Sequence, residues 1–496
     1  MSDKVTIQRF ATGVPGLDAI LGGGLPEFSF NLITGPPGCG KTTLAHQVMF
    51  ALATKKKPAL FFTVLGETPL KILRYQQQFS FFDLDKINDT IRFVNLSEDV
   101  ATGNLELVLA HINDEVESFS PALVFIDSFR SIIEEVSQPA AGTMSLRFFI
   151  QQLGIHLSGS QTTSFLLGEF SSESGSHPIL TVADGLLSME QSVQRNSMVR
   201  KIQVLKMRGQ SILPGMHTFR ITNDGIEVFP AARVLGDSGE EPRTAKALRS
   251  KKRLTMGVPR LDEMLGGGLP AGYSLLVAGP SGSGKTILAT AFLTEGVRCG
   301  EPGIIVAFEQ MPSQSWVRTL DDMVRAGQIG LINSRSPDLS IDEIVQQLCN
   351  LILKMKATRV VIDSLSGFEL AVAPTFREDF RESLFRMFAV LAGLGVTVLM
   401  TSELEDRYID LRFSPYGAAF LTDAIIVQRY IEVESCLQRV MAVVKVRAST
   451  HSNEIRRYEI TADGIVIGDQ VLNYEGILGG QPTLKKTTVK VKEGKP

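Results

Sequence analysis

The chain has 496 residues, 44% hydrophobic and 21% charged, with a formal net charge of −3. That length suits about two to four domains with cores of their own, and the charge balance supplies no global attraction for nucleic acid. Cys39, Cys299, Cys349 and Cys436 are scattered without C-x-x-C spacing, which argues against both a zinc site and a disulfide framework. The start, MSDKVTIQRF, lacks the apolar core of a secretion signal, and no uninterrupted 18-residue apolar run follows. The expectation is a soluble, cytoplasmic chain with no membrane partner.

An internal repeat organises the whole length. The segment 13–26, GVPGLDAILGGGLP, returns as 257–270, GVPRLDEMLGGGLP. The phosphate-loop pattern G-x-x-x-x-G-K-[ST] occurs at 35–42, GPPGCGKT, and again at 279–286, GPSGSGKT. The period is far too long for a solenoid unit, so the chain reads as a duplicated domain.

In the first copy, strands are expected over 30–34, 59–64, 91–95, 123–127 and 163–167, with helical stretches between several of them. Short Val/Ile/Leu-rich runs separated by crossover helices indicate a parallel sheet covered on both faces. Alternating segments at 197–206 and 217–222, matched by 438–445 and 456–461, add antiparallel strands. The fold class is therefore α/β, with two tandem phosphate-loop domains of mainly parallel sheet flanked by helices. Residues 1–234 form the first domain, the polar stretch 235–253 a linker, 254–475 the second domain, and the lysine-rich 476–496 a flexible tail.

Each loop is expected to cradle nucleotide phosphates with backbone N–H groups at a strand-to-helix junction. The nucleotide contacts expected in the first copy are Gly35, Pro36, Pro37, Gly38, Cys39, Gly40, Lys41, Thr42 and Thr43. In the second they are Gly279, Pro280, Ser281, Gly282, Ser283, Gly284, Lys285, Thr286 and Ile287. Lys41 and Lys285 would reach the β/γ-phosphates, and the Thr42 and Thr286 hydroxyls would bind Mg²⁺. Asp127 and Asp363, each ending an apolar strand followed by Ser, supply the carboxylates that order the metal. ATP and Mg²⁺ are thus the expected cofactors. Hydrolysis also needs a group that positions or deprotonates the attacking water. A RecA-type arrangement would place it at the end of the next strand, where Glu67 stands in the first copy and Glu309 in the second. Late in each copy, Lys206-x-Arg208 and Lys445-x-Arg447 put two cations at i and i+2, on one face of a strand. Such pairs can stabilise charge developing on a transferred phosphoryl group.

The order of these motifs, from about residue 13 to 461, closely resembles the KaiC family of double-domain, RecA-like ATPases known from the cyanobacterial circadian clock. The resemblance implies a homo-hexamer of two stacked rings with ATP between neighbouring subunits, a regulatory or signalling role and a regulatory protein partner. Lys206/Arg208 and Lys445/Arg447 would then act on a neighbour's ATP. Arg377, in Thr375-Phe376-Arg377, matches a family position that reaches across the second-domain interface.

Two departures from the family pattern stand out. The family carries adjacent glutamates after the second strand of each domain, but here the pairs read Gly66-Glu67 and Glu309-Gln310. A one-residue shift along a strand reverses the face, so unequal sites are expected, with hydrolysis or kinase chemistry at Glu309. The family's Ser-Thr phosphoacceptor pair is replaced by Ala419-Phe420, ahead of Thr422-Asp423. The usual two-site phosphorylation cycle is therefore expected to be absent. Two other classes remain open: a Ser/Thr kinase using another acceptor, and a RecA/RadA-like DNA-dependent ATPase. The charge balance and the lack of a basic, aromatic-bearing single-strand loop argue against the second.

Overall fold

The computed structural model describes residues 7–64, 69–135, 144–169, 178–194, 197–231, 252–308, 315–333, 339–372, 376–377, 380–404, 421–472, 474–477 and 483–484. The chain divides between Ala231 and Ala232 into two compact units.

The first unit opens with a ribbon of β1 (Arg9–Phe10) and β2 (Leu25–Pro26). Its main sheet holds β3 (Phe30–Thr34), β4 (Ala59–Thr63), β5 (Ile91–Asn95), β6 (Leu123–Asp127), β7 (Thr163–Gly168), β8 (Gly185–Gln194), β9 (Ser197–Met207), β10 (His217–Thr222) and β11 (Gly225–Phe229). Their order is β11-β10-β9-β8-β3-β7-β6-β4-β5. The run from β8 to β5 is parallel, and β9 to β11 extend it antiparallel.

The second unit repeats the plan. It opens with the ribbon β12 (Arg253–Leu254) and β13 (Leu269–Pro270). Its sheet holds β14 (Ser274–Gly279), β15 (Gly303–Ala307), β16 (Ile329–Asn333), β17 (Arg359–Asp363), β18 (Thr397–Glu403), β19 (Ala424–Val433), β20 (Cys436–Val446), β21 (Arg456–Thr461) and β22 (Gly464–Gln470), in the order β16-β15-β17-β18-β14-β19-β20-β21-β22. A last ribbon pairs β23 (Tyr474–Glu475) with β24 (Thr483–Leu484). Both main sheets are therefore mixed, mostly parallel and flanked by helices, as the alternation of apolar runs and crossover segments predicts.

Cores lie on both faces of each sheet. In the first unit one face gathers Ile33, Leu44, Phe61, Phe125 and Phe165, and the other Leu32, Phe62, Ile112, Ile126 and Phe149. The parallel strands are buried on both faces, which explains their unbroken apolar sequences. Helix starts follow local chemistry. Asn104, Ser145 and Ser340 each cap a helix by accepting an N–H from two or three residues on.

The repeated 13–26 and 257–270 segments are structural. Asp18 Oδ1 accepts the Thr12 N–H at 2.9 Å and Asp262 Oδ1 that of Met256 at 2.7 Å. The same two residues' backbone carbonyls take the N–H of Gly23 and Gly267. Each aspartate thereby pins the short helix beside its glycine run to the incoming ribbon. Burial pushes the Asp262 carboxyl up to about 6.

Candidate nucleotide site

Each phosphate loop leaves the carboxyl end of a central strand, β3 or β14, and enters a helix, Lys41–Leu52 or Lys285–Arg298. In open α/β sheets this edge is where ligands bind. The second helix starts at Lys285, with Gly284 serving as its N-cap at φ +95°. Gly40 does the same in the first unit at φ +108°. At these left-handed φ values a side chain would strain the backbone, so glycine is favoured at both positions. The first helical residues are then Lys and Thr, at the end where aligned N–H dipoles favour an anion.

The lysines fold back over their loops. Lys41 Nζ donates to the carbonyls of Gly35 (2.8 Å) and Pro36 (2.9 Å), and Lys285 Nζ to those of Gly279 and Pro280, both at 2.8 Å. Thr42 Oγ1 donates to Asp127 Oδ2 at 2.6 Å. A hydroxyl and a carboxylate side by side are the hard oxygen donors that suit Mg²⁺, with phosphate oxygens and waters completing the shell. Among the described residues no cluster of three or more His, Cys, Asp or Glu could hold a metal by itself. In the second unit Asp363 accepts a hydrogen bond from Thr401 Oγ1. Asp363 is not needed as a helix cap, because Ser364 Oγ caps the helix Leu365–Ala371 by accepting the Gly367 N–H. Both Asp–Ser peptide bonds, 127–128 and 363–364, are cis.

Strand register brings the next strand to the same spot. Thr63 of β4 is opposite Asp127, and Ala307 of β15 is opposite Asp363. Phe308 N–H then donates to the Asp363 carbonyl, so the chain passes Asp363 immediately before position 309. Glu67, Glu309 and the Ala419-Phe420 pair lie outside the described residues.

The two Lys-x-Arg triplets sit elsewhere. Lys206 Nζ donates to the carbonyls of Ala183 and Thr181, and Arg208 pairs with Asp184 at 2.9 Å. Lys445 Nζ donates to the Thr422 carbonyl at 2.6 Å, and Arg447 approaches Asp423 at 3.4 Å. Both arginines fall just past their strands, yet each still shares a segment with its lysine. Asp184 Oδ2 accepts the Phe30 N–H and Asp423 Oδ2 the Ser274 N–H, at the first residues of β3 and β14. Five residues of extended strand, roughly 15 Å, separate that edge from the loop at the other end. Neither pair reaches the phosphate loop of its own unit. Burial, and then the neighbouring arginine, lower the pKa of Lys206 and of Lys445. Arg377 donates to the carbonyls of Leu370 (3.1 Å) and Val372 (3.4 Å) of its own chain.

Two further cations escaped the sequence reading. Arg200 on β9 lies close enough to the first loop to lower the Cys39 thiol electrostatically, although burial outweighs it and raises that pKa. Arg439 on β20 occupies the matching place, its guanidinium 5.4 Å from the Tyr430 ring, and a Cβ on loop residue Gly282 would lie 3.0 Å from the Tyr430 hydroxyl. The Nε atoms of both arginines are buried without a hydrogen-bond partner among the described residues. A lone arginine in an alternating strand gives no signal in sequence, and only strand pairing brings it beside the loop.

Comparison with known proteins identifies the family. The family profile "ATPase: KaiC" matches residues 10–233 and 254–471. The chain is 29% identical to circadian clock oscillator protein KaiC of Picosynechococcus sp., over 96% of this chain and 93% of that protein. It is 30% identical to the protein of the same name from Rippkaea orientalis, over 96% and 92%. Circadian clock oscillator protein KaiC 1 of Synechocystis sp. is 29% identical, again over 96% and 92%.

Proposed function

The chain belongs to the KaiC ATPase family, and on that premise we propose that it binds Mg·ATP at both loops and assembles into a double-ring homo-hexamer. Each ATP is held between neighbouring subunits, and the ring acts as a regulatory device read by a protein partner. The observation that carries this reading is the position of the Lys-x-Arg pairs. They lie at the sheet edge remote from their own loop, so they can serve phosphoryl transfer only on a nucleotide bound by another subunit.

In this reading Lys41 and Lys285 exchange their loop carbonyls for β/γ-phosphate oxygens. Thr42 with Asp127, and Thr286 with Asp363, hold the metal, which draws charge from the phosphates. Arg200 and Arg439 add positive charge beside each loop. Glu309 positions the attacking water in the second domain, and Glu67, shifted by one place, leaves the first domain chiefly an ATP-dependent assembly element. No described helix is long and apolar enough to cross a membrane.

Sizing with and without ATP, combined with turnover of Glu67→Gln and Glu309→Gln, tests the proposal. ATP-dependent assembly and a larger loss from Glu309→Gln are expected; a larger loss from Glu67→Gln would reverse the assignment. Mass spectrometry of the 414–423 peptide after incubation with Mg·ATP should find no stoichiometric phosphate.

A further inference from the structure

Three buried positions behind the phosphate loop differ in concert between the two units. In the second, Ser283 lies two residues before Lys285, Gln428 is on β19 and Tyr458 is on β21. Ser283 Oγ donates to Gln428 Oε1 at 3.0 Å, and Tyr458 Oη donates to the Ser283 carbonyl at 2.5 Å. All three residues are buried. Strand register identifies their counterparts. Val427 pairs with Ala278 and Ser188 with Thr34, so Gln428 and Met189 are equivalent. Tyr458 faces Arg439 as Phe219 faces Arg200. The first unit therefore carries Cys39, Met189 and Phe219, which are members of a single apolar core.

The hydrogen bond to Ser283 has a directional consequence. In a trans peptide, the carbonyl of one residue and the N–H of the next point opposite ways. Holding the Ser283 carbonyl against Tyr458, on the sheet side, turns the Gly284 N–H away from the sheet and into the loop. There it joins the donors that must face a phosphate oxygen. Gln428 braces the same corner, since a Cβ on Gly279 would lie 2.9 Å from Gln428 Cβ. The arrangement is a poor choice for stability alone. Gln428 Nε2 is buried with no partner among the described residues, and an apolar trio fills the same space in the first unit without an orphaned donor. Burial raises the Tyr458 phenol above its ordinary value, which keeps it a donor.

We propose that Tyr458, Gln428 and Ser283 form a polar latch that positions the Ser283–Gly284 peptide for phosphate binding, and that the first unit, lacking it, holds its loop by packing alone. Tyr458 and Gln428 are positioning residues, acting on nucleotide through the loop. The inference deepens the reading of two unequal ATP sites and rests on ATP being bound at both.

The test is equilibrium binding of a fluorescent ATP analogue to the full-length chain carrying Glu309→Gln, so that no turnover is required. Lys41→Ala confines binding to the second loop and Lys285→Ala confines it to the first. With Lys41→Ala, Tyr458→Phe should weaken the analogue about fivefold to tenfold, the effect of one hydrogen bond. Without nucleotide the second unit's unfolding temperature should fall by about 2–12 °C, because the buried Ser283 carbonyl loses its donor. Adding Gln428→Met should cost less than its effect alone, because both side chains hold one corner. With Lys285→Ala, the combination Cys39→Ser, Met189→Gln and Phe219→Tyr should tighten binding at the first loop. Parent affinity in Tyr458→Phe would overturn the latch, and so would an equal loss of affinity in Ile352→Val, a destabilising core change of the same unit away from the loop. Failure of the unequal-activity reading would appear separately, as equal turnover losses in Glu67→Gln and Glu309→Gln.

Discussion

Arg359 provides the sharpest test of how the second unit holds β17. It is the first residue of β17, the strand that ends in Asp363, and it is 1% exposed where the first unit has Leu123. Its Nε and Nη2 donate to Glu301 Oε2 at 3.0 and 2.7 Å. Its Nη1 reaches the carbonyls of Thr255 and Phe292, both at 2.8 Å, and its guanidinium lies 4.6 Å from the Phe292 ring. Lys252 adds a second cation on Glu301 at 2.7 Å. Burial alone would raise the Glu301 pKa, but the hydrogen bonds and charges of Lys252 and Arg359 outweigh it and bring the carboxyl below its ordinary value. Arg359→Leu strips that carboxylate of its inner partner and orphans two buried carbonyls. Breaking a buried pair from one side costs about 3–5 kcal/mol. For a unit of this size each kcal/mol moves the melting temperature by about 2–4 °C, so a fall of about 6–20 °C is expected. Calorimetry of the full chain should show that fall in one transition, with the first unit's transition unmoved. Arg359→Leu combined with Glu301→Leu should recover part of the loss, since an apolar pair removes the orphaned charge. A fall below about 2 °C in the single variant, or no recovery in the double, would refute the reasoning.

Two further outcomes are expected. His46, fully buried and stacked on Phe61 at 4.5 Å, has its pKa pushed down to about 3 by burial. The unfolded chain therefore takes up a proton that the folded chain refuses. The associated stability is intact above pH 6.5 and falls by about 1.4 kcal/mol per pH unit as acid is added toward 3. Urea titrations of His46→Leu should lack that slope between pH 6.5 and 4.5, and an unchanged slope would sink the assignment. Mixing a Lys445→Ala/Arg447→Ala chain with a Lys285→Ala chain should restore about a quarter of second-site turnover, because a quarter of random interfaces pair an intact loop with an intact cation pair. No recovery after subunit exchange would exclude action between subunits.

The fold was largely legible because its signals are local. Apolar runs such as residues 123–127 and 359–363 have the length and β-branched or aromatic content of buried strands, and the loops that follow β3 and β14 announce themselves by glycine spacing. What escaped depends on register. Nothing in the spacing of Arg200, Arg439, Tyr458 or Gln428 connects them to the phosphate loop. They arrive there through pairing, parallel for β19 and antiparallel for β9, β20 and β21, of strands that begin more than a hundred residues downstream of it. The aspartate of the GVPxLD segment was visible as a repeat, but its work as a backbone acceptor for Thr12 or Met256 was not.

The substitutions that separate the two copies are correlated by contact, not by position in the chain. Cys39, Met189 and Phe219 lie far apart in sequence, yet their counterparts Ser283, Gln428 and Tyr458 are all polar and mutually hydrogen-bonded. Exchange of Ser283 or Gln428 alone would leave the other's buried side chain short of its partner, at about 1–3 kcal/mol. Ser283 and Gln428 therefore have to change together, while Tyr458, bonded to a main-chain carbonyl, adds its hydroxyl at the same corner. Leu123 and Arg359 differ in the same unit-specific way, with Glu301 and Lys252 beside the arginine. In both places the second unit replaces packing with directional bonds around the elements that carry Lys285 and Asp363. That is what a site selected for geometry needs, while a site that only has to hold a nucleotide for assembly can rely on burial.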